Sequence, residues 1–265
     1  MKALALALIV GVFPFSARAG EPLFHVDFDT DAAGPYTRAE VAADFHHPSW
    51  SDGIDEGLAE IVATSCGKAL QVRYPAGQVG GGVKIPVRLP RRDALYLAYR
   101  VWFPPDFVFV KEGKLSGLCG GTCNSGGHPA NGHDGWSSRV IWQAGGQAAQ
   151  YVYAADQKGR YGDTSLWNPG ALTPGTWHFV ETYVRINTPG QADGVITSWL
   201  DGRQAYDRHD VRFRDTDAFA IDSFVFETFF GGGTPDYAPP SDQYARFADI
   251  TVSDSPISAS DCVKS

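Results

Sequence analysis

Five residues in the middle third of the chain are of the types needed to remove a proton that lies next to a carboxylate. They are Lys114, Ser137, Arg139, Tyr151 and Tyr153. An arginine or lysine can neutralise the carboxylate and so stabilise the negative charge that develops beside it. A tyrosine, lysine or histidine can act as the base when a nearby positive charge lowers its pKa, and a tyrosine can protonate the leaving oxygen. Together these residue types suit β-elimination of a uronic-acid polymer.

Strand periodicity predicts that these residues share a surface. Side chains alternate between the two faces of a strand, so Ser137 and Arg139 of GWSSRVIWQ lie on one face and the tryptophans on the other. The same rule places Tyr151 and Tyr153 of QYVY together. Faces that combine aromatic, amide and guanidinium groups are typical of carbohydrate clefts. On this basis the predicted substrate-binding residues are Gln143, Glu181, Tyr183, Arg185 and Asn187.

The rest of the chain has the pattern of an all-β protein. Short apolar runs such as ALQVRY, ALYLAYRVWF and SFVFETFF alternate with turns rich in Gly, Pro, Asn and Asp. Residues 36–44 and 53–61 are predicted to form short helical turns. We expect a single-domain β-sandwich of jelly-roll type over residues 20–265, with a substrate cleft on one concave sheet. The terminal strands, FHVDFD and ARFADITV, are expected to pair near each other.

Residues 1–19 have the three parts of a secretory signal peptide. A lysine is followed by an apolar run too short to span a membrane, and residues 17–19, Ala-Arg-Ala, form a small-x-small cleavage site. We therefore expect a secreted or periplasmic protein.

The overall charge restricts the partners. The chain has 22 basic and 30 acidic residues, a formal net charge of -8. This excludes broad binding to nucleic acid or to anionic membranes. We expect a monomer that binds an anionic polysaccharide in a narrow, locally positive cleft, with Lys114, Arg139 and Arg185 on one face of the sandwich.

Four cysteines remain after residue 19, and export would allow them to form disulfides. Three pairings are open from the sequence alone. The Gly-rich turn between Cys119 and Cys123 favours a tight ring there, which pairs Cys66 with Cys262. A metal site is the weaker interpretation, since His128 and His133 are nearby but a second closely spaced cysteine pair is missing from the sequence.

The motifs GKLSGL, a Gly-rich loop with SGG, GWSSRVIW and QYVY, taken in this order, resemble polysaccharide lyase family 14, the alginate and glucuronan lyases. The C-terminal run from FETFFGGG to FADI is similar to that family as well, so the resemblance covers roughly residues 96–252. It implies a β-jelly-roll endolytic lyase acting on polymannuronate or polyglucuronate. It also implies that Lys114, Ser137, Arg139, Tyr151 and Tyr153 are its functional positions. Arg139 would neutralise the carboxylate with help from Lys114, one tyrosine would be base and acid, and Lys114 is the alternative base.

The chain departs from the family pattern at two positions. Glu227 stands in FETFFGG, where the resemblance leads us to expect a small polar residue, and Gln143 stands where the family often has a basic residue after the tryptophan. Both changes make the cleft less positive.

Two other functions remain open from the sequence. The first is a non-catalytic carbohydrate-binding module on the same fold. The second is a glycoside hydrolase, with Glu181 and Glu227 as a carboxylate pair across the cleft. The expected lyase chemistry requires no cofactor or metal ion, although Glu21 and Asp249 could be ligands of a structural Ca²⁺.

Overall fold

The computed structural model describes residues 21–258, which form two antiparallel β-sheets and one short α-helix. The predicted signal peptide and Cys262 lie outside the described residues. The elements are β1 (Phe24–Val26), β2 (Gly34–Pro35), α1 (Arg38–Asp44), β3 (Ala59–Thr64), β4 (Gly67–Tyr74), β5 (Gly82–Arg92), β6 (Ala94–Trp102), β7 (Glu112–Gly121), β8 (Gly135–Gln143), β9 (Gln147–Tyr153), β10 (Asp163–Ala171), β11 (Trp177–Arg185), β12 (Gly194–Leu200), β13 (Arg203–Val211), β14 (Ile221–Phe230) and β15 (Gln243–Ser253).

The two sheets are built from strands that are far apart in the sequence. The six-stranded sheet has the order β10-β9-β8-β7-β14-β5. The nine-stranded sheet has the order β13-β12-β11-β6-β15-β4-β3-β2, and β1 pairs with β15. The predicted all-β sandwich and the predicted pairing of the terminal strands are both confirmed.

The core lies between the sheets and follows the alternation of side chains. On β8 the inward residues Trp136, Val140 and Trp142 join the main apolar cluster, together with Phe224, Phe226 and other residues of β14. The outward residues of the same strands are then left for the opposite face of the six-stranded sheet. This outer face carries the candidate site.

Only one of the two predicted helical turns forms a helix. Thr37 caps α1 by accepting a hydrogen bond from the Glu40 N–H, and the Glu40 carboxylate accepts from the Thr37 N–H in return. Residues 53–61 instead contain a turn and then the start of β3 at Ala59, so the second prediction is wrong. Within residues 21–258 no helix is long and apolar enough to cross a membrane.

A buried polar network joins the two sheets directly beneath the outer face of β8. The Gln150 amide donates to Ser138 Oγ at 2.7 Å and to the Arg139 carbonyl at 3.1 Å. On the other side, Ser198 of the nine-stranded sheet donates to Gln150 Oε1 at 2.9 Å. Satisfied buried networks of this kind specify one arrangement of the core. This network therefore stabilises the position of the backbone that carries Arg139.

Candidate active site

A cleft of about 890 Å³ lies on the outer face of the six-stranded sheet. Lys114 on β7, Arg139 on β8, and Tyr151 and Tyr153 on β9 all line it. Three adjacent strands therefore bring four of the five predicted catalytic residues into one cavity. The fifth, Ser137, is fully buried beside Arg139.

The strand register places these side chains as cross-strand neighbours. Arg139 is opposite Tyr151, and Ser137 is opposite Tyr153. On the other side, Gly117 of β7 is opposite Arg139, and an added Cβ at this glycine would lie only 2.9 Å from Arg139 Cγ. The second glycine of GKLSGL, Gly117, therefore leaves the space that the Arg139 side chain occupies. A register shift in β7 between Lys114 and Gly117 accompanies this close approach.

The Arg139 guanidinium is buried and held from two sides. Its Nε donates to the Glu227 carboxylate on β14, and its Nη1 donates to Ser137 Oγ and, at 3.2 Å, to the Asn124 carbonyl. Ser137 Oγ donates to the same carbonyl at 2.6 Å. A guanidinium has five N–H donors, so donors on Nη2 are left for a carboxylate in the cleft.

The loop between β7 and β8 supplies backbone groups to this site. The Cys119–Cys123 disulfide, with a Cα–Cα distance of 5.0 Å, confirms the predicted pairing and closes the turn immediately before Asn124. Further along the loop, the Gly127 N–H donates to Tyr153 Oη at 3.1 Å. The loop thus contacts both the arginine and the tyrosine pair.

The two tyrosines form a hydrogen-bonded pair. Their hydroxyl oxygens are 3.3 Å apart, and the Gly162 N–H donates to Tyr151 Oη, also at 3.3 Å. Burial raises the pKa of Tyr151 above its ordinary value, and the hydrogen bond and charge of Tyr153 raise this pKa further. Tyr151 is therefore a phenol that keeps its proton. Lys114 Nζ lies 4.1 Å from the centre of the Tyr151 ring.

Every cation that lines the cleft is paired with a carboxylate that also lines it. The pairs are Lys84 with Asp52, Lys114 with Glu112, and Arg139 with Glu227. The formal charge of these six side chains sums to zero. The expected positive surface is therefore replaced by three ion pairs.

The predicted substrate-binding residues are not all at this cleft. Gln143 donates to Glu112 Oε2 at 3.2 Å and so lies beside its rim. Glu181, Tyr183 and Arg185 are on β11, in the other sheet, with outward side chains. The expectation that Arg185 shares a face with Lys114 and Arg139 is therefore wrong, because periodicity indicates which residues share a face but not to which sheet the strand belongs.

Asn187, the last of the predicted substrate-binding residues, is fully buried and holds two backbone segments together. Its side-chain oxygen accepts from the backbone N–H groups of Phe213 and Arg214 at 2.8 and 2.9 Å. These bonds tie the end of β11 to the segment that follows β13. Asn187 therefore stabilises the contact between these two segments and does not line the cleft.

Several cleft residues were missed because their signals are weak in a sequence. Glu112 stands next to GKLSGL, and its alternation with Lys114 could have indicated a shared face. Asn124 acts through its backbone carbonyl, which no residue type reveals. Lys84 and Trp50 come from distant segments that meet the cleft only through the fold.

The predicted structural Ca²⁺ site stays a prediction. Asp249 Oδ2 lies 2.7 Å from Arg100 Nε in an ion pair. Among residues 21–258, no group of three or more His, Cys, Asp or Glu side chains is placed to hold a metal ion.

Comparison with known proteins identifies the family of this fold and site. The sequence model of Polysaccharide lyase 14 matches residues 63–250, which include Lys114, Ser137, Arg139 and both cleft tyrosines. The chain belongs to polysaccharide lyase family 14. It is a polysaccharide lyase, as the sequence motifs predicted. A search of curated protein sequences finds no match.

Solved structures show the same architecture. A variant of alginate lyase Aly36B in complex with alginate tetrasaccharide is 25% identical, with a TM-score of 0.78, covering 90% of this chain and 99% of that one. The PL-14 alginate lyase from Aplysia kurodai is 25% identical, with a TM-score of 0.74, covering 88% and 99%. An endo-β-1,4-glucuronan lyase from Trichoderma reesei has the same fold at 12% identity, with a TM-score of 0.54 and coverage of 88% and 96%.

The buried pair of Arg139 and Glu227 predicts a large loss of stability when one charge is removed. Glu227→Ala leaves a buried guanidinium without its carboxylate, and we expect the free energy of unfolding to fall by about 3–5 kcal/mol. The matched control is Asp52→Ala, which removes the half-exposed partner of Lys84 and should cost no more than about 1 kcal/mol. Urea unfolding followed by circular dichroism measures both values. Equal, small losses for the two variants would contradict the assigned role of the pair.

Proposed function

We propose that this lyase is an exported, monomeric endolytic enzyme that cleaves a uronic-acid polymer by β-elimination. The substrate is polymannuronate-type alginate or glucuronan, and the products are unsaturated oligouronates. The observation that carries the proposal is the position of the Arg139 guanidinium next to the Tyr151–Tyr153 pair and Lys114 in one cleft. The substrates named for the similar lyases, alginate and glucuronan, support the same class of polymer.

The reaction requires that a weakly acidic proton be removed. The C5–H bond breaks, its electron pair forms the C4=C5 double bond, and the C4–O4 bond breaks with its electrons leaving on O4. The free donors of Arg139 bind the carboxylate at C5 and stabilise the negative charge that develops there. No other reactant is needed, because the proton lost from C5 is balanced by the proton gained on O4.

Tyr151 is the group best suited to donate the proton to O4. Its raised pKa keeps the hydroxyl protonated, and Tyr151 is 8% exposed, whereas Tyr153, which also lines the cleft, is 0% exposed. We assign Lys114 as the base, since its Nζ lies over the Tyr151 ring; it takes the C5 proton as the neutral amine, after the ammonium of the Lys114–Glu112 pair has given up one proton to solvent. In mannuronate and glucuronate the C5 proton and O4 are on the same side of the ring. An acid and a base on one side of the cleft fit this stereochemistry.

The alternative of a glycoside hydrolase loses the carboxylate pair on which it rested. Glu181 is on the outer face of the nine-stranded sheet, where its carboxylate accepts from the Ile257 N–H at 2.9 Å. Glu227 is in the cleft, on the opposite outer face, and is bound to Arg139. Two carboxylates on opposite faces of the sandwich cannot flank one glycosidic bond.

A panel of defined polymers tests the proposed function. Polymannuronate, polyguluronate, glucuronan and a neutral β-1,4-glucan are incubated with the enzyme, and the far-ultraviolet absorbance of unsaturated uronates is followed. We expect the absorbance to rise with polymannuronate or glucuronan and not with the neutral polymer. Binding without any rise in absorbance would instead identify a carbohydrate-binding module.

Substitution of the tyrosines tests the assigned roles. Tyr151→Phe removes the proton donor, and we expect kcat to fall by about 10²–10⁴-fold with the fold intact by circular dichroism. Tyr183→Phe, the matched control on the other sheet, should retain full activity. Because the pKa of Tyr151 lies above the ordinary value, ionisation of Tyr151 should not reduce kcat of the unmodified enzyme below about pH 10. Full activity of Tyr151→Phe would exclude this residue as the acid.

A further inference from the structure

Two exposed aromatic side chains mark the ends of the cleft. Among the described residues the exposed large hydrophobic side chains are Trp50 (48% exposed), Val108 (44%), Tyr161 (57%) and Leu166 (63%). Trp50 and Tyr161 line the cleft, and the other two do not. Exposed aromatic surface costs free energy in water unless a ligand covers it, so aromatic residues confined to a cleft indicate a binding role.

Tyr161 is at the end of the cleft that contains the reacting groups. It immediately precedes Gly162, whose N–H donates to Tyr151 Oη at 3.3 Å. Arg160 lies against its ring, with the guanidinium carbon 5.7 Å from the ring centre, and also donates to the Gly127 carbonyl at 3.4 Å. Tyr161 therefore sits between the loop that contacts Tyr153 and the strand edge that contacts Tyr151.

Trp50 is at the opposite end, outside the segment matched by the family. Two residues later, Asp52 exchanges backbone hydrogen bonds of 2.9 and 3.3 Å with Lys84 on β5, the edge strand of the sheet. Lys84 Nζ lies 4.8 Å from the centre of the Phe229 ring and 3.4 Å from the Asp52 carboxylate. From β8 to β5 there are three strand spacings, roughly 14 Å, so this end is well separated from Arg139.

We propose that Trp50 and Tyr161 are the stacking platforms of two outer subsites for uronate rings, and that Lys84 binds a substrate carboxylate in the subsite of Trp50. The inference rests on the proposed function and adds the direction of the bound chain, which runs across the strands from β9 to β5. Aromatic rings pack against the apolar face of a sugar, and a lysine supplies the charge that a uronate requires. Because the reacting groups lie near Tyr161, the long arm of the cleft extends toward Trp50.

Substitutions at both ends test the subsites with matched controls. We expect Tyr161→Ala to raise KM by about threefold to tenfold for substrates of every length. Trp50→Ala should raise KM by a similar factor for the polymer and for long oligouronates, and by less for the shortest oligomer that is cleaved. Trp50→Phe and Tyr161→Phe keep an aromatic face and should restore most of the affinity. Leu166→Ala and Val108→Ala, which remove exposed hydrophobic side chains outside the cleft, should leave KM unchanged.

The possible failures can be told apart. If Trp50→Ala matches the unmodified enzyme for all lengths while unsaturated products form, the subsite proposal is wrong and the proposed function stands. If the unmodified enzyme forms no unsaturated product, the proposed function fails. Retardation of the same variants in gels containing polymannuronate or glucuronan then decides the subsites, since weaker retardation of Trp50→Ala and Tyr161→Ala supports them and unchanged retardation overturns them.

Discussion

The arrangement of the cleft depends on one buried charge, the guanidinium of Arg139. A cation removed from water is strongly unfavourable unless carboxylate and carbonyl oxygens replace its hydration. Glu227, Ser137 and the Asn124 carbonyl supply these oxygens from β14, β8 and the disulfide-closed loop. Each of these contacts fixes one wall of the cleft relative to the arginine, so the same interactions that satisfy the charge also hold the reacting groups in place.

The sandwich provides the rigidity that this arrangement requires. Gln150 links the Arg139 backbone to the nine-stranded sheet, and Tyr74 of that sheet contacts Thr228 Oγ1 of β14 at 2.5 Å. Both contacts are buried, so they are strengthened by the low dielectric of the core. The strands that present the site are therefore bound to the opposite sheet on either side of the arginine.

The pairing of the cleft cations has a further consequence. A bound uronate contacts preformed ion pairs rather than a broad positive surface.

The sequence was most informative where function and strand periodicity coincide. Alternation along β8 and β9 correctly placed Ser137 with Arg139 and Tyr151 with Tyr153, because a period of two follows directly from strand geometry. It could not show that β11 belongs to the other sheet, and Arg185 was therefore assigned to the wrong face. Nor could it show that Glu112 and Glu227 neutralise Lys114 and Arg139, since these pairs depend on tertiary neighbours. The clearest clue was Glu227 itself, an acidic residue at a position where the resemblance predicts a small polar one.

The central claim is that the Arg139 site cleaves its polymer by elimination. The most direct measurement is mass spectrometry of oligosaccharides released from polymannuronate and glucuronan in water enriched in ¹⁸O. Elimination adds no solvent oxygen at the cleaved bond. The C4–O4 bond breaks, O4 stays on C1 of the leaving sugar, and the new non-reducing end carries a C4=C5 double bond. We therefore expect unsaturated products without ¹⁸O from at least one of the two polymers, in samples quenched before the anomeric oxygen of the new reducing end exchanges with water. Saturated products that contain one ¹⁸O atom for each bond cleaved would show hydrolysis and contradict the account.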